Sequence, residues 1–104
     1  MKNKKEEGIV LSGRRLILNG KRMDTRERAH AHLAKRLHLP PHYGGNLDAL
    51  NDCLGEIGKP TRILLRNTVF LRVSLGDYGE RILNVLTETA AKNEQITFEF
   101  REGF

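Results

Sequence analysis

A single cysteine, Cys53, among 104 residues leaves nothing for an internal disulfide to form with, so the chain must be held together by its core. Tryptophan is absent, and two tyrosines with four phenylalanines give base stacking little to work with. No apolar run approaches the roughly 20 residues that a membrane-spanning helix needs. The charged segment from Met1 to Glu7 and the short run Ile9-Val10-Leu11 do not compose a secretion signal, so a reduced, cytoplasmic setting is expected. Gly44-Gly45 and Gly76-Asp77-Tyr78-Gly79 lack the spacing of a phosphate-cradling fingerprint. The four histidines do not converge: His30 and His32 fall on different sides of a helix, and His38 and His42 straddle two prolines. Neither a metal site nor a cofactor is expected.

What is present is one small domain. A chain of this length buries only about 60–65% of its unfolded surface, which favours a function carried on the surface over a deep active site. The net charge of +5 is unevenly distributed. Residues 1–40 hold eleven Lys and Arg against four acids, whereas residues 41–104 hold seven against nine, so the later part is the acidic one.

The most informative stretch lies in that acidic part. Tyr43-Gly44-Gly45 offers two positions that accept positive φ, and Asn46 can cap a helix that starts at Leu47. Leu47, Leu50 and Leu54 then share one stripe with Cys53 on its flank, where a packed thiol is expected. Asp48 and Asp52 stand one turn apart on the opposite side, where like charges cost a few tenths of a kcal/mol and the helix dipole near the first turn returns part of that. A solvated face is the ordinary meaning of such a pair.

Along the chain, residues 1–8 lack an apolar anchor and form a basic tail, with the domain occupying 9–104. Arg15 to Leu18 is the first strand, with an extra N-terminal edge strand at Gly8 to Leu11, and Asn19-Gly20 is a turn. Asp24 and Glu27 resemble a capping box that opens a helix from about Thr25 to His38, stopped by Pro40-Pro41. The helix from Leu47 to about Gly55 follows, and then Arg62 to Arg66, an unalternated apolar run that suits a strand covered on both faces. Asn67 is expected to cap a short helix through Leu75, and Gly76-Asp77 to break it and cap the next. Ile82, Val85, Leu86, Thr89 and Ala90 mark a helix over about Tyr78 to Lys92, and Gln95 to Phe100 alternates as the last strand. The order predicts an α/β fold: a small three-stranded parallel sheet packed against about four helices.

The string Tyr-Gly-x-Asn-Leu-Asp-Ala-Leu-x-Asp-Cys-Leu resembles the signature of the barstar family, intracellular inhibitors of secreted microbial ribonucleases. The likeness runs from about Leu16 to Leu54 and, after one short deletion before Pro60, to about Phe100. The resemblance implies the same three-stranded layout and an inhibitor that docks an acidic helix and loop into a nuclease site as a phosphate mimic. Asp52 is the residue that would meet the phosphate-binding groups most directly, followed by Asp48. Asn46, Leu47, His42, Tyr43 and Asn51 would line the docking surface, and Glu88 would add an acid from the neighbouring helix. The implied partner is a small ribonuclease bound one-to-one by a chain that is monomeric when free, an arrangement of the immunity or toxin–antitoxin kind. Three positions depart from the best-known member, which has tryptophan at Asn51, tyrosine at His42 and an acid at Gly45, and Lys92 replaces an acid near Glu88. The family's implication therefore does not extend to barnase itself as the target.

The alternative is a basic nucleic-acid-binding module, suggested by Arg14, Arg15, Lys21, Arg22, Arg26, Arg28, Lys35 and Arg36. No nucleic-acid-binding motif accompanies that charge, so nucleic acid is not counted among the expected partners. An enzyme is not expected either, because Asp48 and Asp52 on one exposed helix lack the walls that exclude water or perturb a pKa.

Overall fold

Ile63 and Leu65 of the middle strand are 2% and 0% exposed while Arg62, beside them in the chain, is open to solvent, and that alternation sets the architecture. The computed structural model describes residues 13–103. The expected tail and the extra edge strand at Gly8 to Leu11 lie outside the described residues. In chain order the elements are β1 (Arg14–Asn19), a 3-10 turn (Gly20–Arg22), α1 (Arg26–Arg36), α2 (Leu47–Gly55), β2 (Thr61–Arg66), α3 (Thr68–Leu75), α4 (Asp77–Lys92) and β3 (Ile96–Phe100). The strands form one parallel sheet in the order β1-β2-β3, with Leu16 beside Ile63 beside Phe98. Each crossover carries two helices, as parallel pairing requires of its connections.

The helices contribute Ala29 and Leu33, Leu50 and Leu54, Leu71, and Ile82 and Leu86 to a single apolar cluster with Leu18, Ile63, Leu65 and Ile96. One sheet face is therefore covered. The other carries Arg15, Arg62, Thr97 and Glu99, all exposed, with Ile17 and Leu64 half-buried between them. This corrects the expectation that β2 is covered on both faces: Leu64 makes the run look unalternated, but its neighbours Arg62 and Arg66 belong on an open side.

Helix ends differ from the sequence reading where a tertiary partner intervenes. The cap of α1 is Thr25, whose Oγ1 accepts from the Arg28 N–H at 3.0 Å, while Asp24 instead pairs with Arg28 at 2.6 Å. The helix stops at Arg36 because His38 turns left-handed at φ 55° and the Leu39 N–H bonds back to the Ala34 carbonyl, before either proline is reached. Asn67 sits at the start of α3 in left-handed geometry without capping it, and its Nδ2 donates to Asn19 Oδ1 at 2.9 Å. The first α3 amides are satisfied by the chain after β3, with the Thr68 N–H donating to the Arg101 carbonyl at 3.0 Å and the Val69 N–H to the Glu102 carbonyl at 3.3 Å. Gly76, at φ 55°, is both the end of α3 and the cap of α4, so Asp77 lies inside the helix.

Two side chains of α1 close the free edge of β1. The Asn19 N–H donates to His32 Nε2 at 2.9 Å, and Arg36 Nε donates to the Ile17 carbonyl at 2.9 Å. An edge strand so covered offers less to a passing strand.

Candidate functional site

Local chemistry begins the acidic helix as its sequence implies. Asn46 is extended at φ −139°, and its Oδ1 accepts from the Ala49 N–H at 2.8 Å. Of the two preceding glycines only Gly45 needs positive φ, at 69°. Leu50 and Leu54 are fully buried and Leu47 half-buried, which fixes the rotation of α2 and leaves Asp48 and Asp52 exposed.

Tertiary contacts then hold both ends of the loop and helix. The Tyr43 N–H bonds the Pro40 carbonyl at 2.9 Å, making a turn, and the Tyr43 hydroxyl lies 2.5 Å from Nδ1 of the buried His30. The opposite ring nitrogen, Nε2, lies 2.6 Å from the Tyr78 hydroxyl on α4. A neutral imidazole donates at one nitrogen and accepts at the other, so one tyrosine accepts and the other donates. Burial holds His30 below the ordinary histidine value and raises Tyr43 above the ordinary tyrosine value, with Tyr78 and Cys53 adding to the latter, which favours the neutral form of both His30 and Tyr43. At the far end of α2, Asn93 Nδ2 donates to the carbonyls of Leu54 in the last turn and of Ile57 just beyond it, each at 3.0 Å, which ties this end to the residue that follows α4.

The resulting surface is negative and shallow. His42, Tyr43 and Gly44 from the loop and Asp52, Cys53 and Glu56 from the helix surround a recess of about 200 Å³. Glu56 was missed in the sequence reading, although it repeats the four-residue interval of Asp48 and Asp52. The three carboxylates form one stripe, and none has an ion-pair partner among the described residues. Asp48 is in the first turn, where the dipole favours it, but Asp52 and Glu56 lie toward the C-terminal end, with no basic residue in the last turn. The dipole thus returns part of the cost for Asp48 alone. Cys53 is pushed up in pKa by burial, then by Glu56 and Asp52, so it stays a thiol.

The other expected residues are dispersed around this recess. Asn51 borders a second recess of about 500 Å³ with Gly55, Lys92 and Asn93, where α2 meets α4. Glu88 is exposed on α4, the helix against which α2 packs. Asn46 is exposed beside the loop, its Oδ1 occupied by the cap. No group of His, Cys, Asp or Glu suited to a metal ion occurs among the described residues.

A family model described as Barstar (barnase inhibitor) matches residues 14–102. The chain belongs to the barstar family. A Bacillus subtilis (strain 168) protein named "Putative ribonuclease inhibitor YrdF" is 36% identical over 89 residues, covering 85% of this chain and 94% of that protein. Barstar-family proteins are inhibitors and not enzymes. No helix among the described residues is long and apolar enough to cross a membrane.

Proposed function

We propose that this chain inhibits a ribonuclease by one-to-one docking of α2 and the His42–Asn46 loop into the nuclease active site, its carboxylates standing in for RNA phosphates. Family membership supports the ribonuclease as target class. The observation that carries the docking surface is the unpaired stripe Asp48, Asp52, Glu56. Three like charges on one helix face, two of them at the end the dipole disfavours, cost stability without a return inside the fold. A nuclease site supplies the missing cations, since it holds Lys, Arg and His for phosphate.

Roles follow from position. Asp52 and Asp48 take the phosphate-binding groups, and Glu88 adds a charge from α4. His42, Asn46, Leu47 and Asn51 form the rim. Tyr43, whose hydroxyl is turned to His30, holds the loop in shape. The chain acts as an immunity protein in the compartment where its nuclease is made.

Inhibition assays against barnase and against any small nuclease encoded in the adjoining reading frame test this. Asp52→Ala should weaken inhibition by at least about 2 kcal/mol, roughly thirtyfold, with the circular dichroism spectrum unchanged. Full inhibition by that variant removes Asp52 from the centre of the interface, and no nuclease inhibited by the wild-type chain refutes the reading.

A further inference from the structure

The open sheet face is as basic as the α2 surface is acidic. Register places Arg15 beside Arg62, and Arg62 beside Thr97, all on the uncovered side. Neighbouring strands are about 4.8 Å apart, so two arginine side chains leave the sheet from adjacent positions, and like charges directly opposite each other favour an anion nearby. Arg15, Arg62 and Arg101 line one recess with Thr97 and Glu99, and Glu99 is the only acid on that lining, 3.6 Å from Arg101.

At the adjoining β1 edge, where α1 closes the sheet, Arg22, Lys35, Arg36 and Arg66 line a second recess of about 390 Å³ with Ile17 and His32. His32 reports the field there: burial lowers its pKa first, and Arg36, Arg22 and Lys35 lower it further. These cations come from α1, from the 3-10 turn and from β2, and only the fold brings them together.

We propose that this face binds the phosphate backbone of single-stranded RNA along a track joining the two recesses. The cations are arginines with one exception, and the planar guanidinium fork matches a phosphate in two-point contact. A three-stranded sheet is about 10 Å across, a width for one strand of nucleic acid and not a duplex groove. Ile17 and Leu64 between the recesses are half-buried, and no aromatic side chain lines either recess, so the anchors that dominate protein interfaces are missing. The same lack of aromatics makes the binding indifferent to base sequence and governed by salt. The α2 stripe lies on the other side of the core, so an RNA on the sheet does not meet those carboxylates.

Fluorescence anisotropy of the full chain with a labelled oligouridylate tests the proposal. Binding should weaken with salt, with a log–log slope of about −3 for about four phosphates at about 0.7 each. Arg15→Ala/Arg62→Ala should reduce the slope by about 1.4 and the low-salt affinity by roughly tenfold. Lys35→Glu should weaken binding independently of that pair. Failure to bind at low salt overturns the proposal. An unchanged slope in the double variant also does, because Lys2, Lys4 and Lys5 remain in it and would then be the contact. Equal competition by polyglutamate would assign the face to an acidic polypeptide and refute RNA as its occupant. Asp52→Ala, which tests the inhibitor reading, should leave RNA binding unaltered, so the two readings fail separately.

Discussion

His30 Nδ1 lies 2.5 Å from the Tyr43 hydroxyl, so the middle of α1 grips the loop that leads into the acidic helix. The other ring nitrogen holds Tyr78, over whose ring the Arg26 guanidinium sits at 4.1 Å, and one histidine thereby ties α1, the loop and α4 together. Such a buried polar bridge gives specificity to the loop only while each of its members is satisfied.

Tyr43→Phe keeps the ring in place and strips one ring nitrogen of its partner. Stability should fall by about 1–3 kcal/mol in urea unfolding, the cost of a buried unsatisfied group. If the loop shapes the docking surface, nuclease inhibition should weaken with it. An unchanged midpoint would show that water replaces the hydroxyl.

Acid should destabilise the fold near the bottom of the physiological range. His30 and His32 both have folded-state pKa values below 6.5, the first from burial, the second from burial and then Arg36, Arg22 and Lys35. The unfolded chain therefore binds more protons than the native one in the window just under 6.5, and stability rises with pH there. The stabilisation is complete above about pH 6.5 and is lost as pH falls toward the folded values. Protonation would also remove the acceptor that His32 offers to the Asn19 N–H. The thermal midpoint should drop between pH 7.5 and pH 5.5, and His32→Gln should flatten that dependence. A flat profile in the wild-type chain contradicts it.

Asn93→Ala should cost about 1–3 kcal/mol, because the Ile57 carbonyl just after α2 loses its side-chain donor and the Leu54 carbonyl is left with backbone donors alone. Hydrogen exchange should rise at the last turn of α2 more than at β2. Uniform exchange across the two would refute a local role.

Asp52→Asn and Glu56→Gln should each leave the protein equally or slightly more stable, by a few tenths of a kcal/mol, since each relieves a like-charge pair and an unfavourable dipole position. Weaker inhibition by a more stable protein is the expected exchange of stability for function. Destabilisation by either variant would mean that the carboxylate has an internal partner.

Much of this was legible along the chain. The leucine spacing of Leu47, Leu50 and Leu54 and the cap at Asn46 gave α2 its limits and its rotation, because both act within about two turns of helix. Parallel pairing of three strands followed from the alternation of short apolar runs with helical periods, whereas their order in the sheet is seen only in the fold. The acidic pair was visible for the same reason, and Glu56 was within reach of the same interval. Helix ends were less legible: Thr25 displaced Asp24, and Asn67 gave its side chain to Asn19 instead of to its own helix.

Residues far apart in sequence met only in the folded chain. His30 finds Tyr78 across 48 positions, and Asn93 reaches back 39 to Leu54, distances over which no periodicity speaks. Likewise Arg15, Arg62 and Arg101 are far apart in the sequence and line one recess in the fold. Local steric and hydrogen-bonding preferences fix an element from its own residues, whereas the partner of a long-range polar group is set by how the elements pack, and packing is a property of the whole core.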